Sequence, residues 1–256
     1  MTADTHAVGA ISGVVVILLV DYLAKHRAWA WLRMVQGVAI LKDTSGLLFG
    51  KVMGSGHGGG FGLRPSSSHQ GLVCLFENEA SAIAFTESTV VTSSIERARE
   101  HWLARLAITS ARGQWDQQPW GVTCRESLES PQDYDALTNS AGPVAALTRG
   151  SIRPAKALSF WRYAPPAQAD LKFAPGCQLS MGLGEAPLVR QCTFSLWDDT
   201  DQMVAYARSG AHQQAITAAY KNDYFAESMF LRMRVLAMEG NWQGRSFGTR
   251  QEMAHA

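Results

Sequence analysis

Hydrophobic positions along the chain change period in a repeating order. The run Gly13-Val-Val-Val-Ile-Leu-Leu-Val20 is apolar without a break and rich in β-branched residues. That composition predicts a strand buried on both faces over Val14–Tyr22. From Ala28 to Leu41 the residues Trp29, Leu32, Val35 and Val38/Ala39 recur at three- and four-residue spacing, which predicts a helix. Strands are expected at Leu47–Met53 and, after a glycine-rich connection, at Gly71–Glu77. A helix starts at Ala80–Thr86 and resumes near Ile95–Leu103, Leu106–Ser110 reads as a fourth strand, and Gly113-Gln-Trp115 closes the series.

The order then repeats. Val144–Ile152 reads as a strand, Pro154–Leu171 holds a helical segment with Phe160 and Trp161, and Cys177–Gly182 and Cys192–Trp197 read as strands. Asp199–Tyr220 follows as a long helix and Ser228–Met238 as the last strand, closed by Gly240-Asn-Trp242. Two β-α-β-β-α-β series with matching Gly-x-Trp closings predict an α+β fold of tandem ferredoxin-like units. Each unit leaves one sheet face bare, so the two sheets are expected to pack face to face as a pseudo-dimeric α/β barrel. The units are placed at residues 1–125 and 143–256, with a Ser-, Pro-, Asp- and Asn-bearing linker at 126–142.

Composition narrows the classes. A chain of 256 residues with formal net charge +1 can bury a real core and has no electrostatic case for nucleic acid. Four dispersed cysteines (Cys74, Cys124, Cys177, Cys192) contain no CxxC pair and fit reduced cytosolic thiols. The longest apolar run is far short of the ~20 residues needed to span a bilayer and lacks the flanks of a signal peptide. Cytoplasmic folding is expected, with peripheral contact with a membrane left open.

Two motifs invite chemistry and fit plainer roles. Gly54-Ser-Gly-His-Gly-Gly-Gly-Phe-Gly62 follows a strand, but Leu63-Arg-Pro-Ser comes next where a dinucleotide fingerprint needs a helix, and no Gly-Lys-Ser/Thr is present. A mobile loop is expected. Asp198 and Asp199 stand where a helix begins, so they suit capping and the helix dipole better than acid/base work.

Several blocks taken together are similar to the spheroidene monooxygenases. They are Met53-Gly-Ser-Gly56 with Gly60-Phe61, Gly113-Gln-Trp-Asp116, Ala145-Ala-Leu-Thr-Arg149, Gly182-Leu-Gly-Glu-Ala-Pro187, Gln191-Cys-Thr-Phe-Ser-Leu-Trp197 and Ala207-Arg-Ser-Gly-Ala-His212. The resemblance runs from about residue 14 to residue 244. It implies a haem b protein that inserts oxygen from O2 at C-2 of acyclic carotenoids, with reduced ferredoxin as electron donor. Two hydroxylations at one carbon would give a geminal diol that loses water to leave a ketone. It also implies contact with the inner, photosynthetic membrane. His57 departs from the family pattern.

Oxidising an unactivated carbon needs a cofactor, and haem iron needs an axial donor, usually His, Cys or Tyr. His212 lies at the edge of the stripe Val204, Ala207, Ala211, Ala215, Ala218, with Ala205, Ser209 and Ile216 on its own side, small enough for a flat macrocycle to approach. It is the first candidate for the iron. His69, in Pro65-Ser-Ser-Ser-His69-Gln, falls at a position that the family pattern uses and is a candidate catalytic donor on the distal side, or the ligand itself. Cys177 and Cys192 offer thiolate, although apolar strand neighbours oppose ionisation. Arg64 is expected to meet a haem propionate, with the glycine-rich run gating a hydrophobic tunnel. A non-catalytic haem or carotenoid carrier, and a cofactor-independent monooxygenase, remain the alternatives.

Overall fold

A computed structural model describes residues 10–130, 132, 134, 141–162, 170–186 and 188–248. The unbroken apolar run forms β1 (Val14–Tyr22), buried along its whole length because β3 (Pro65–Phe76) and β4 (Ala98–Trp115) pair with its two edges. β2 (Leu47–Gly56) completes this sheet, and α1 (Arg27–Gln36), α2 (Glu79–Thr86) and α3 (Thr89–Ile95) lie over its outer face. The second unit repeats the plan with β6 (Val144–Ile152), β7 (Cys177–Ala186), β8 (Arg190–Trp197) and β9 (Phe225–Trp242). Residues 157–162 are helical after β6, and α4 (Thr200–Ala207) and α5 (Gly210–Lys221) precede β9.

The strand order β9-β6-β8-β7-β2-β3-β1-β4, with β4 pairing back onto β9, closes eight antiparallel strands into a barrel. The expected α+β barrel of two units is therefore the fold. Side chains alternate across each strand, so Val15, Ile17, Leu19, Phe194, Leu196, Met229 and Leu231 fill the barrel while their neighbours face outward. Asn78 and Asp199 stand at equivalent places, each accepting a backbone N–H three residues on (Ser81 and Gln202, both 2.8 Å). Asp199 is thus the helix cap that its position suggested.

The two Gly-x-Trp closings are one feature used twice. Gly113 (φ +86°) and Gly240 (φ +111°) pair near the two ends of the β4–β9 ladder, and a Cβ at either would collide with backbone, that of Ser228 or of His101. The following Trp115 and Trp242 turn into the barrel. Short strands β5 (Gln118–Pro119) and β10 (Arg245–Phe247) then fold back as hairpins.

Ions tie the halves together at one end of the barrel. Arg149 of β6, 1% exposed, meets Glu185 (3.2 Å), Asp116 (3.4 Å) and Glu227, and Lys51 of β2 pairs with Asp116 and with Glu185 (3.5 Å).

Some expectations fail. Residues from Ala98 onward form strand where helix was expected to run to Leu103, because Trp102, Ala104, Leu106 and Ile108 alternate into the barrel. The long second-unit helix is broken at Arg208–Ser209 into α4 and α5. Of the segment expected as linker, residues 131, 133 and 135–140 lie outside the described residues. So do residues 163–169 of the helical segment, of which 157–162 are helical.

Candidate functional site

The two units differ in how their helices sit on their sheets. In the first, Val14, Val16, Leu18, Val20, Leu72, Cys74 and Phe76 are buried against Ala30, Ala82, Phe85 and Val91. In the second, strand alternation puts Ala146, Thr148 and Gly150 of β6, Thr193 and Ser195 of β8, and Gly182 of β7 on the outer face. These are small, and Thr148 is exposed. α4 packs on this face through Met203, while α5 packs chiefly on α4 and none of its described side chains is fully buried. Its apolar edge of Ala211, Ala215, Ile216 and Ala219 stays half-exposed. This small-residue face, floored by alanine, glycine and hydroxyl side chains, is the candidate slot of the second unit.

His212 of α5 is tied to this face through an aromatic stack. Trp197, on the outer face of β8, packs on Tyr206 of α4 (centroids 5.3 Å apart), and Tyr206 packs on the His212 ring (4.9 Å). The helix break supplies its hydrogen bond. Carbonyls at the end of α4 lack helical partners, and His212 Nδ1 donates to that of Ala207 at 3.4 Å. That tautomer leaves Nε2 with its lone pair free. Burial pushes the imidazole pKa below its ordinary value, only partly countered by the Ala207 carbonyl, so the ring is neutral.

These residues fit a haem. A haem would need small residues on one side and a neutral nitrogen donor, and Ala146, Thr148, Gly150 and His212 are of those kinds. Among the described residues no group of three or more His, Cys, Asp or Glu could cage a bare metal ion. Cys177, on the outer face near the slot, has its thiol pushed up to about 11 by burial, and burial pushes that of Cys192, inside the barrel, higher still. Neither is a ready thiolate.

The glycine-rich run crosses from the first unit to the second. Gly60 lies against Gly182, where a Cβ would come within 2.6 Å of the Gly60 carbonyl oxygen. Phe61 then stacks on Trp161 at 5.1 Å, and Trp161 donates to the Leu188 carbonyl. The run is therefore an apolar bridge beside the slot. Arg64 is exposed at its foot, where its carbonyl accepts the His57 N–H at 2.8 Å.

The structure does not bring His69 to His212. His69 is on β3 with its ring edge-on to Trp242 inside the barrel (5.9 Å), whereas His212 is outside the barrel wall. Its Nδ1 is 3.0 Å from Ser66 Oγ, 3.2 Å from Ser68 Oγ and 3.6 Å from the buried Asp21, which Arg99 also holds. Burial lowers its pKa despite the Asp21 carboxylate. Sequence reading missed Tyr206, Thr148, Thr193 and Ser195. Alternation along β6 and β8 was the signal that could have found the last three.

No protein-family model matches the chain. Among solved structures, an aldoxime dehydratase shares the fold with a TM-score of 0.56 at 11% identity, covering 87% of this chain and 81% of the other. Among curated proteins, the spheroidene monooxygenase of Rhodobacter capsulatus is 33% identical over 221 residues, 85% of this chain and 87% of the relative. That of Rubrivivax gelatinosus is 48% identical over 236 residues, 92% of this chain and 87% of the relative. A match of that depth along both barrel units is more than a shared scaffold, and the chain belongs to the spheroidene monooxygenase family.

Proposed function

We propose that this chain is a carotenoid monooxygenase that oxygenates C-2 of an acyclic carotenoid of the spheroidene type. O2 is the oxidant, haem b the cofactor, with its iron on His212, and reduced ferredoxin the electron donor. The observation that supports the cofactor reading is the stack Trp197–Tyr206–His212, which ties a neutral imidazole to the small-residue face of the second sheet. When bound, the haem supplies the oxidising power that no side chain has.

The chain's own residues do the rest. His212 Nε2 would offer its lone pair to the iron, with Nδ1 donating to the Ala207 carbonyl. Thr148, Thr193 and Ser195 offer hydroxyl groups on the outer face of β6 and β8, Ser195 Oγ already accepting from Trp197 Nε1 at 2.9 Å. Phe61 and Trp161 give the rod-like polyene an apolar border, and Arg64 offers a cation for a propionate. His69 belongs to the barrel interior; its proposed part is to hold the rim from which the glycine-rich run departs, through Ser66, Ser68 and Asp21.

The test is an absorption spectrum of the purified protein after reconstitution with haemin, followed by O2 uptake with reduced ferredoxin and spheroidene in detergent. A Soret band and a ketone product are expected. Ketone formation without bound haem would favour a cofactor-independent monooxygenase, and binding without O2 uptake a carrier.

A further inference from the structure

Among the described residues no helix is long and apolar enough to cross a membrane, yet an acyclic carotenoid dissolves in lipid rather than water. On the carotenoid reading, the chain needs an apolar surface where it can meet lipid. Helix α1 shows where. Spacing of apolar residues normally marks the buried face of a helix, but here Ala30 alone is fully buried. The helix is held down by other groups: the Ala30 carbonyl accepts from Gln70 at 2.6 Å, Arg33 donates to the Val90 carbonyl at 3.2 Å, and Met34 sits over Gly54. Trp31, Leu32 and Val35, with Val38 just beyond, face outward at 62, 52, 60 and 56% exposure. They make up four of the ten large exposed hydrophobic side chains among the described residues, gathered on one ridge.

We propose that this ridge docks on an anionic lipid bilayer. Ala24–Lys42 carries Lys25, Arg27, Arg33 and Lys42 and not one carboxylate, in a chain whose net charge is only +1. Exposed Lys25, Arg27 and Lys42 flank the apolar ridge at its two ends, as on helices that lie in a membrane interface, and tryptophan favours that depth. A second copy of the chain is a poor occupant. A twofold contact would set cation against cation, with no carboxylate in the segment to answer them. The ridge also sits beside the proposed site: α1 rests on β2 at Gly54, and β2 leads into the glycine-rich bridge that ends at Phe61 and Trp161.

The proposal rests on the carotenoid reading for its purpose, but its test does not. The full chain is floated with phosphatidylglycerol/phosphatidylcholine vesicles and with phosphatidylcholine alone, beside W31S/L32S/V35S and K25E/R27E variants. Wild type is expected to float with the anionic vesicles, the triple variant to lose binding by about tenfold or more, and the charge variant to bind neutral and anionic vesicles alike. Both variants should keep the wild-type circular dichroism and melting temperature, since the altered side chains are exposed. Equal flotation of wild type and triple variant would overturn the proposal. So would a wild-type dimer that the triple variant converts to monomer. Turnover separates the two readings. The triple variant should oxidise spheroidene in detergent micelles like wild type but fail with spheroidene in vesicles. No turnover by wild type in micelles would count against the carotenoid reading and leave the flotation result standing.

Discussion

Glu100 and Glu227 play one role at opposite ends of the barrel. Glu227, at the start of β9, accepts the backbone N–H groups of Asp116 (3.0 Å) and Gln117 (2.7 Å) in the β4–β5 turn. Glu100, at the start of β4, accepts those of Gln243 (2.9 Å) and Gly244 (3.2 Å) in the β9–β10 turn. Each carboxylate locks the hairpin that follows a Gly-x-Trp closing, and so fixes where β4 and β9 stop pairing.

The two clamps should not cost the same to remove. Glu100→Ala deletes two charge-assisted hydrogen bonds at an exposed turn and is expected to cost about 1–2 kcal/mol. Glu227→Ala deletes the same pair and also strips a partner from the buried Arg149, so about 3 kcal/mol or more is expected. Urea unfolding midpoints compare them directly. Equal losses would show that the Arg149 contact adds nothing.

Arg149 itself should be the costliest single loss in the ion network. Its removal leaves Glu185, whose side chain is 8% exposed, without its nearest cation inside the barrel. Arg149→Met is expected to lower stability by about 3–5 kcal/mol, and R149M/E185Q by less than the sum of the two single changes. Additive losses in the double-mutant cycle would mean that the pair is not coupled.

Much of this fold was legible in the residues, and the failures share a cause. Gly113-Gln-Trp115 and Gly240-Asn-Trp242 signalled the repeat because a positive φ at close backbone approach and a buried indole each demand a residue type. Three of the family-like blocks converge in space through Asp116, Arg149 and Glu185, which spacing alone does not reveal. Trp31, Leu32, Val35 and Val38 show the limit of periodicity: it marks a face and cannot say what covers it. His212 was visible as an imidazole at the edge of an apolar stripe. Its hydrogen bond was not, because that depends on the break at Arg208–Ser209 and the carbonyl it frees.

Acid should destabilise the chain earlier than carboxylate titration would. Burial lowers the pKa of His69, His101 and His212 from the ordinary 6.5. The unfolded chain then binds more protons than the folded one as pH falls past that value. The stability they contribute is complete above about 6.5 and is lost as pH falls toward their lowered folded values. Urea midpoints between pH 7.5 and pH 5 should fall, and H69Q/H212Q should flatten the slope. An unchanged slope in that double variant would place the acid sensitivity elsewhere.

Haem occupancy decides between the two candidate histidines. His212 is tied through Tyr206 to the small-residue face of the second sheet and bonds Ala207 through Nδ1, while His69 is turned into the barrel and already engaged at Nδ1 by Ser66 and Ser68. His212→Ala is therefore expected to lose most of its Soret absorbance per mole of protein, with the far-ultraviolet circular dichroism unchanged. His212→Gly should regain haem when imidazole is supplied in solution, because the slot outlasts the loss of the ring; a variant that had merely misfolded would not recover. His69→Ala should keep its haem and lose stability instead, since Asp21 is left buried without the His69 imidazole beside it. Full haem in the His212 variants with loss in His69→Ala would reverse the assignment. Loss in neither would send the search to Cys177, the cysteine nearest the slot, whose raised pKa would then need an explanation.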